Sequence, residues 1–289
     1  MTTVRQYFDA VSRRLVPVLG NVDAACSAAR IIFDDVAGYS RTFIFVNGDR
    51  EITPDMQARL DAVVKKVEGG EPVQYAAGKA MFMGNLYAVG PAVLIPRPET
   101  AHLVDMIVAD ADGRSDLRVL DIGTGSGCIA ISLARALPFS HVEGIDVSAD
   151  ALTLARANAK ALRATVDFVQ ADILSLTPPS APRFDIVVSN PPYVCQSEAA
   201  DMDKRVLDYE PHLALFVPDD DPLLFYRAIA RYAMAALVPG GRLYFEINSR
   251  FPEETCRLLT SVGFDDAEAI RDYRGLYRYV TARRPDTDA

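Results

Sequence analysis

A chain of 289 residues, half of them hydrophobic and 24% charged, is long enough for two units that each bury a core. Its 39 acidic and 30 basic residues leave a formal charge of −9, which argues against broad binding to nucleic-acid phosphates. No apolar run approaches the roughly 18 residues of a membrane span, and four scattered cysteines without a C-x-x-C pair argue against zinc modules and disulfide scaffolds.

The charge is uneven. Residues 1–84 hold ten acids and ten bases, so the −9 belongs to residues 85–289. The neutral part reads as helical. Tyr7, Phe8, Val11, Leu15 and Val18 recur at spacings of three and four and stop near Gly20. Val22–Val36 continues in that style, with Ile31, Ile32 and Phe33 expected on its buried side. Thr53-Pro54 supplies an N-cap and a first-turn proline for a helix through Leu60, Val63, Val64 and Val67 to Gly69-Gly70. Between 78 and 95 apolar and aromatic runs flank Gly84-Asn85, the signature of a β-hairpin.

From 117 onward strands and helices alternate. Strands are expected at Arg118–Ile122, Val142–Asp146, Val166–Val169, Asp185–Ser189 and Leu243–Ile247. Helices are expected at Gly127–Leu137, Ala149–Leu162 and Leu223–Leu237, the last stopped by Pro239-Gly240-Gly241. Such alternation specifies a parallel sheet covered by helices, with ligands beyond the carboxyl ends of its strands. Only the tail from Arg283 to Ala289 reads as disordered. The expected division is a helical domain over 1–77, a hairpin linker over 78–95 and a catalytic domain over 96–289. Widely spaced cysteines and the lack of a basic-then-apolar leader predict a cytoplasmic protein.

Val119-Leu-Asp-Ile-Gly-Thr-Gly-Ser-Gly127 places three glycines between a strand and a helix, where the backbone can approach a ligand closely. Two cofactors fit. Gly125-x-Gly127-x-x-Ala130, with Asp146 about 20 residues on, satisfies the dinucleotide fingerprint. The alternative is S-adenosylmethionine. Asp121 stands at the strand end, where a carboxylate suits a cation and repels a pyrophosphate. Under that reading Gly123, Thr124, Gly125, Ser126 and Gly127 form the cofactor loop. Asp146 accepts the ribose hydroxyls, and Asp172, with Ile173 beside it, faces the adenine.

Asn190-Pro-Pro-Tyr193 follows another strand. Pro191 and Pro192 lock the backbone and remove two donors. That leaves the Asn190 Oδ1 and the Pro191 carbonyl as a fixed acceptor pair for a planar NH₂ group, with Tyr193 against its plane. Such a pair fixes the direction of attack on an activated methyl, so alignment supplies most of the catalysis. No strong base is needed, and His102, His141 and His212 fall outside both motifs. No metal is expected.

With these motifs the chain resembles the HemK/PrmC family, the release-factor glutamine N5-methyltransferases. The resemblance rests on Glu71-Pro-Val-Gln-Tyr75, Leu94-Ile-Pro-Arg-Pro-Glu-Thr100, the glycine turn, Asn190–Tyr193 and Tyr209-Glu-Pro-His-Leu-Ala-Leu215, in that order. It implies a Rossmann-like class I S-adenosylmethionine-dependent methyltransferase domain with a mostly parallel seven-stranded sheet, preceded by a small helical bundle and a hairpin linker. It also implies S-adenosylhomocysteine as product, and as substrate the glutamine of the Gly-Gly-Gln loop of peptide chain release factors. Asn190, Pro191, Pro192, Tyr193, Arg97, Glu99 and Thr100 would then border the substrate, and the bundle would help grip the release factor. A monomer without nucleic-acid or membrane partners is expected.

The chain departs from the family pattern twice. Ile173 stands where many relatives have tryptophan. Glu246-Ile-Asn-Ser-Arg-Phe251 replaces a common Glu-x-Gly-x-x-Gln, so that segment receives no substrate role. Rival substrates are a ribosomal-protein glutamine and the N6 amine of adenine in DNA or RNA. A non-catalytic binding protein or an NAD enzyme is the reading from another class.

Overall fold

The computed structural model describes residues 2–286, grouped in two compact units. One gathers the residues up to Ala80 with Val89–Pro91 and Asp203–Tyr209. Its helices are α1 (Val4–Leu19), α2 (Val22–Ala37), α3 (Arg41–Asn47), α4 (Pro54–Glu68) and α5 (Val73–Ala77). The expected caps form. The Thr53 side chain accepts from the Met56 N–H, and Gly20 ends α1 with φ +82°. Tyr7, Val11 and Leu15 of α1 bury against Ala28, Ile32 and Phe33 of α2 and Leu60 and Val64 of α4. Ile31 lies only half-buried beside Ile32 and Phe33, since three successive helical residues cannot all face one core. Helix α3 escapes the sequence reading because none of its seven residues is buried.

Strands β1 (Lys79–Phe82) and β2 (Asn85–Ala88) make the expected hairpin. Its two turn residues are Met83 and Gly84, at φ 46° and 71°, the positive pair of a tight hairpin turn, one position before the Gly84-Asn85 pair of the sequence reading.

The second unit is the mixed α/β part. After α6 (Pro98–Ala111) come β3 (Arg118–Ile122), α7 (Cys128–Ala136), β4 (His141–Asp146), α8 (Ala149–Leu162), β5 (Asp167–Gln170), β6 (Phe184–Ser189) and the short β7 (Val194–Cys195). Helix α9 (Lys204–Tyr209) groups with the first unit. Then follow β8 (Phe216–Val217), α10 (Leu224–Ala236), β9 (Leu237–Glu246), α11 (Pro252–Val262), β10 (Asp265–Arg271) and β11 (Tyr277–Arg283).

Seven strands form one sheet in the order β10-β11-β9-β6-β3-β4-β5, parallel except for the two pairings of β11. Leu103, Val104 and Ile107 of α6 and Ile129, Ile131 and Leu133 of α7 cover one face. Tyr226, Ile229 and Ala233 of α10 and Leu259 of α11 cover the other. The chain runs outward through β3, β4 and β5 and returns to β6 on the other side of β3. That reversal opens a crevice at the carboxyl ends of β3 and β6.

Three expectations are corrected. Strand β9 begins at Leu237 and runs through Pro239-Gly240-Gly241, which interrupts the ladder with β6 without ending it. The antiparallel strands β10 and β11 close the sheet where the sequence reading placed no element; β10 has no fully buried residue and so lacks strand alternation. Arg283 closes β11 and Arg284 is buried, so the disordered tail does not start at Arg283; residues 287–289 of that expectation lie outside the described residues. All four cysteines are free, and no helix is long and apolar enough to cross a membrane among the described residues.

Candidate active site

The glycine turn leaves β3 with Gly123, Gly125 and Gly127 at φ +73°, +55° and +79°. A Cβ on Gly123 would meet nothing within 4 Å, and both Gly123 and Gly125 line a cavity in this unit. Gly127 faces the other way. A Cβ there would lie 2.9 Å from Ile131 Cδ1 and 3.2 Å from Phe168 Cζ, so this glycine seats the turn against the core.

Asp121 is wholly buried behind the turn and does not line the cavity. Its Oδ2 accepts from the Thr124 hydroxyl at 2.7 Å and the Ala130 N–H at 3.2 Å, while Oδ1 has no hydrogen-bond partner. Burial pushes the carboxyl up from 3.8 to about 7, against the pull of those two donors. The folded chain therefore holds this proton more tightly than the unfolded chain, and the contribution to stability falls as pH rises from about 4 to about 7. Asp121→Asn is expected to flatten that slope by one proton. Unfolding midpoints of both proteins measured across that pH window check it, and two parallel curves would refute it.

Asp146 ends β4 with both oxygens in use. Oδ2 accepts from the Gly125 N–H at 2.8 Å and Oδ1 from the Ser148 N–H at 2.9 Å. The helix cap is Ser148 itself, whose hydroxyl accepts from the Ala151 N–H, so Asp146 is free of that duty. Asp172 follows β5, exposed, with Oδ1 on the Leu174 N–H. Asp146, Asp172 and Ile173 all line the cavity. Phe225 and Ile229 add an apolar wall that the motifs did not announce.

Asn190, Pro191 and Pro192 form the cavity wall beyond β6, with every peptide bond trans. The Asn190 Nδ2 donates to Thr100 Oγ1 at 3.3 Å, which leaves Oδ1 as the amide's available acceptor. Tyr193 stands back from the cavity lining, its hydroxyl donating to Glu246 Oε1 at 3.1 Å. Burial and the nearby Glu246 carboxylate raise the Tyr193 pKa, so it stays a neutral donor.

Arg97 and Thr100 also line the cavity; Glu99 does not, and its carboxylate accepts from the Tyr273 hydroxyl at 3.4 Å. Glu210, from the Tyr209–Leu215 motif, is buried. It accepts from the Ile95 N–H at 3.1 Å and pairs with Arg97 at 2.5 Å, which ties the segment before α6 to the cavity edge.

Sequence reasoning missed two supports, both in the segment left without a role. Glu246, at the end of β9, is 1% exposed and holds Thr100 and Tyr193. Asn248 Nδ2 donates to the Tyr193 carbonyl and to Glu198 Oε2, each at 2.9 Å. The available signal was a lone charge closing the apolar run Leu243-Tyr-Phe-Glu246, which a buried strand tolerates only when partnered. No histidine lines the cavity. His102 packs on Tyr279, His212 sits edge-on to Phe216, and His141 is exposed beside Asp116.

Asp146 and Asp172 beyond β4 and β5, an open glycine cradle and an amide acceptor on rigid prolines can hold a polar cofactor and align an NH₂ group. The comparisons with known proteins agree with that arrangement. The PrmC N-terminal domain model matches residues 18–78 and the methyltransferase small domain model matches 99–208. The chain is 45% identical to the release factor glutamine methyltransferase of Bacteroides thetaiotaomicron over 255 residues, covering 88% of this chain and 91% of that one. It is 36% identical to the protein of the same name from Koribacter versatilis over 283 residues, covering 98% and 99%. A 16S rRNA N2 G1207 methyltransferase of T. thermophilus, solved with AdoMet and guanosine, shares the fold with a TM-score of 0.51 at 19% identity, over 71% of this chain and 49% of that one. Identity at this level, sustained along nearly the whole chain and through both the helical and the α/β parts, makes it a member of the release factor glutamine methyltransferase family.

Proposed function

We propose that the protein transfers a methyl group from S-adenosylmethionine to the side-chain amide nitrogen of a glutamine in peptide chain release factors, the glutamine of their Gly-Gly-Gln loop. The observation that carries this is the Asn190 amide beyond β6, held through Nδ2 by Thr100 so that Oδ1 stays an acceptor. With the Pro191 carbonyl it can take both hydrogens of a primary amide. Pro191 and Pro192 keep the pair rigid, so the nitrogen lone pair is aimed rather than merely bound.

The residues present fit the cofactor. Gly123 and Gly125 leave room where side chains would stand, and Asp146, Asp172 and Ile173 line the same cavity for ribose and adenine. Thr124 and Ser126 complete the loop between the glycines. Asp121 acts from behind the turn. Its unpartnered Oδ1, a carboxyl acceptor, favours a cation over a pyrophosphate, which supports adenosylmethionine over a dinucleotide. Once bound, that cofactor supplies an electrophilic methyl on a sulfonium and leaves as S-adenosylhomocysteine.

No strong base is required of the chain, because the methylated nitrogen is acidic enough to pass its proton to water or a carbonyl oxygen. We assign residues 1–77 to substrate recognition, 78–95 to the hairpin linker and 96–289 to methyl transfer, with Arg97 and Thr100 beside the substrate and Glu99 and Tyr193 outside the cavity lining. A translation-factor substrate supports a cytoplasmic location.

The test is incubation with methyl-labelled S-adenosylmethionine and, in separate reactions, a purified release factor, ribosomal proteins, and DNA or RNA. The expected result is one methyl on the Gly-Gly-Gln glutamine, located by peptide mass. Label confined to ribosomal protein or nucleic acid would overturn the proposal.

A further inference from the structure

Glu246 is a buried charge for which the cavity itself offers no explanation. It ends β9 at 1% exposure and belongs to the segment whose sequence departs from the family pattern. Its two oxygens are taken by hydroxyls from different elements. Oε2 accepts from Thr100 Oγ1 of α6 at 2.7 Å, and Oε1 accepts from the Tyr193 hydroxyl at 3.1 Å. Tyr226 of α10 also donates to the Glu246 carbonyl, which fixes the backbone beneath.

The polarity of this chain of bonds has a consequence. An ionised carboxylate only accepts, so the single Thr100 hydroxyl proton is committed to Glu246. Thr100 Oγ1 can then only accept from its next neighbour. That neighbour is Asn190, and the group that can donate from it is Nδ2, found at 3.3 Å. The two ends of an asparagine amide are almost equal in shape and opposite in hydrogen-bonding character. Packing alone does not choose between them; a one-way donor chain does.

We infer that Glu246 is a positioning residue for methyl transfer: acting through Thr100, it sets the orientation of the Asn190 amide so that Oδ1, and not Nδ2, meets the N–H groups of the substrate. The inference rests on the reading that Asn190 accepts from the substrate amide. Through Oε1 the same carboxylate anchors Tyr193, so one buried group holds both ends of Asn190–Tyr193. Burial raises the Glu246 pKa, while the hydroxyls of Thr100 and Tyr193 and the charge of Arg278 on β11 favour the carboxylate.

Glu246→Gln keeps the shape but can donate to Thr100, which frees the threonine proton for Asn190 Oδ1 and admits the flipped amide. Thr100→Val keeps the shape and breaks the relay; Thr100→Ser restores the hydroxyl. The experiment compares these with wild type and Asn190→Ala for unfolding midpoint, Kd for S-adenosylmethionine by calorimetry, and kcat and KM on a release factor. Glu246→Gln and Thr100→Val are expected to lower kcat about 10- to 100-fold with cofactor Kd within about threefold of wild type. Thr100→Ser should regain most of the turnover lost in Thr100→Val. If Glu246→Gln does not fold, the valine and serine pair decides alone.

Wild-type kcat in Glu246→Gln or Thr100→Val, with Asn190→Ala inactive, overturns the inference and leaves the function standing. A change only in stability or KM does the same, since it reduces Glu246 to a structural group. An active Asn190→Ala removes the acceptor role of Asn190 on which the inference rests.

Discussion

Asn190→Ala is expected to reduce kcat by about 10²- to 10³-fold, the cost of deleting one preorganised polar group at a reacting centre. The Kd for S-adenosylmethionine should stay within about threefold, because Asp146, Asp172 and Ile173, proposed to take ribose and adenine, still line the cavity unchanged. Alanine removes the Oδ1 acceptor and leaves the Pro191 carbonyl, so a substrate amide keeps one tether and loses its fixed orientation. The nitrogen lone pair of an amide is delocalised and weak, and a wandering weak nucleophile seldom meets the methyl in line. Single-turnover rates with saturating release factor, beside calorimetry with the cofactor alone, separate the two effects. Near-normal turnover would rule out the amide-holding arrangement. An equal loss in cofactor affinity would assign Asn190 to cofactor binding instead.

Gly127→Ala is expected to destabilise the protein by about 2–4 kcal/mol, the sum of left-handed backbone strain and overpacking. The glycine sits at φ +79°, and its missing Cβ would press on Ile131 Cδ1 at 2.9 Å, Phe168 Cζ at 3.2 Å and Ala155 Cβ at 3.3 Å. Ile131 is fully buried, so it can yield only by moving the core under α7. Gly125→Ala is the instructive contrast. Its φ of +55° carries strain, but its nearest neighbour is the Gly123 carbonyl at 4.0 Å, so the added methyl projects into the cavity. That variant should lose cofactor affinity and keep most of its stability. Denaturant midpoints and cofactor titrations of the two variants check the division of labour. Equal stability losses would contradict it.

Helices α1, α2 and α4 were readable because apolar spacing, capping side chains and stop glycines agree within each, and local agreement needs no partner to interpret it. The parallel strands β3 and β6 were readable as mostly apolar runs because helices cover both faces of the sheet. The site motifs at Val119–Gly127 and Asn190–Tyr193 were legible for a related reason. Glycine and proline act on the backbone of their own residues, so their meaning survives without tertiary context.

Other parts were silent in the sequence. Strands β10 and β11 form an antiparallel margin in which β10 buries no residue fully, so no alternation betrays it. Asp203–Tyr209 lies in chain order between strands of the α/β unit yet groups with the helices, where Tyr209 donates to the Gly69 carbonyl. A six-residue helix carries no periodicity long enough to say which core it serves.

The sequence by itself determined the alternation of elements, the glycine turn with its three strand-end acids, and the proline-locked acceptor, since each is written in neighbouring residues. Only the tertiary structure decided that Asp121 stands behind the turn and that Glu246, 146 residues from Thr100, is its partner. The physical reason is range. Backbone conformation answers to residues a few positions away, whereas a buried carboxylate answers to whichever donors the fold brings within 3 Å or so of it.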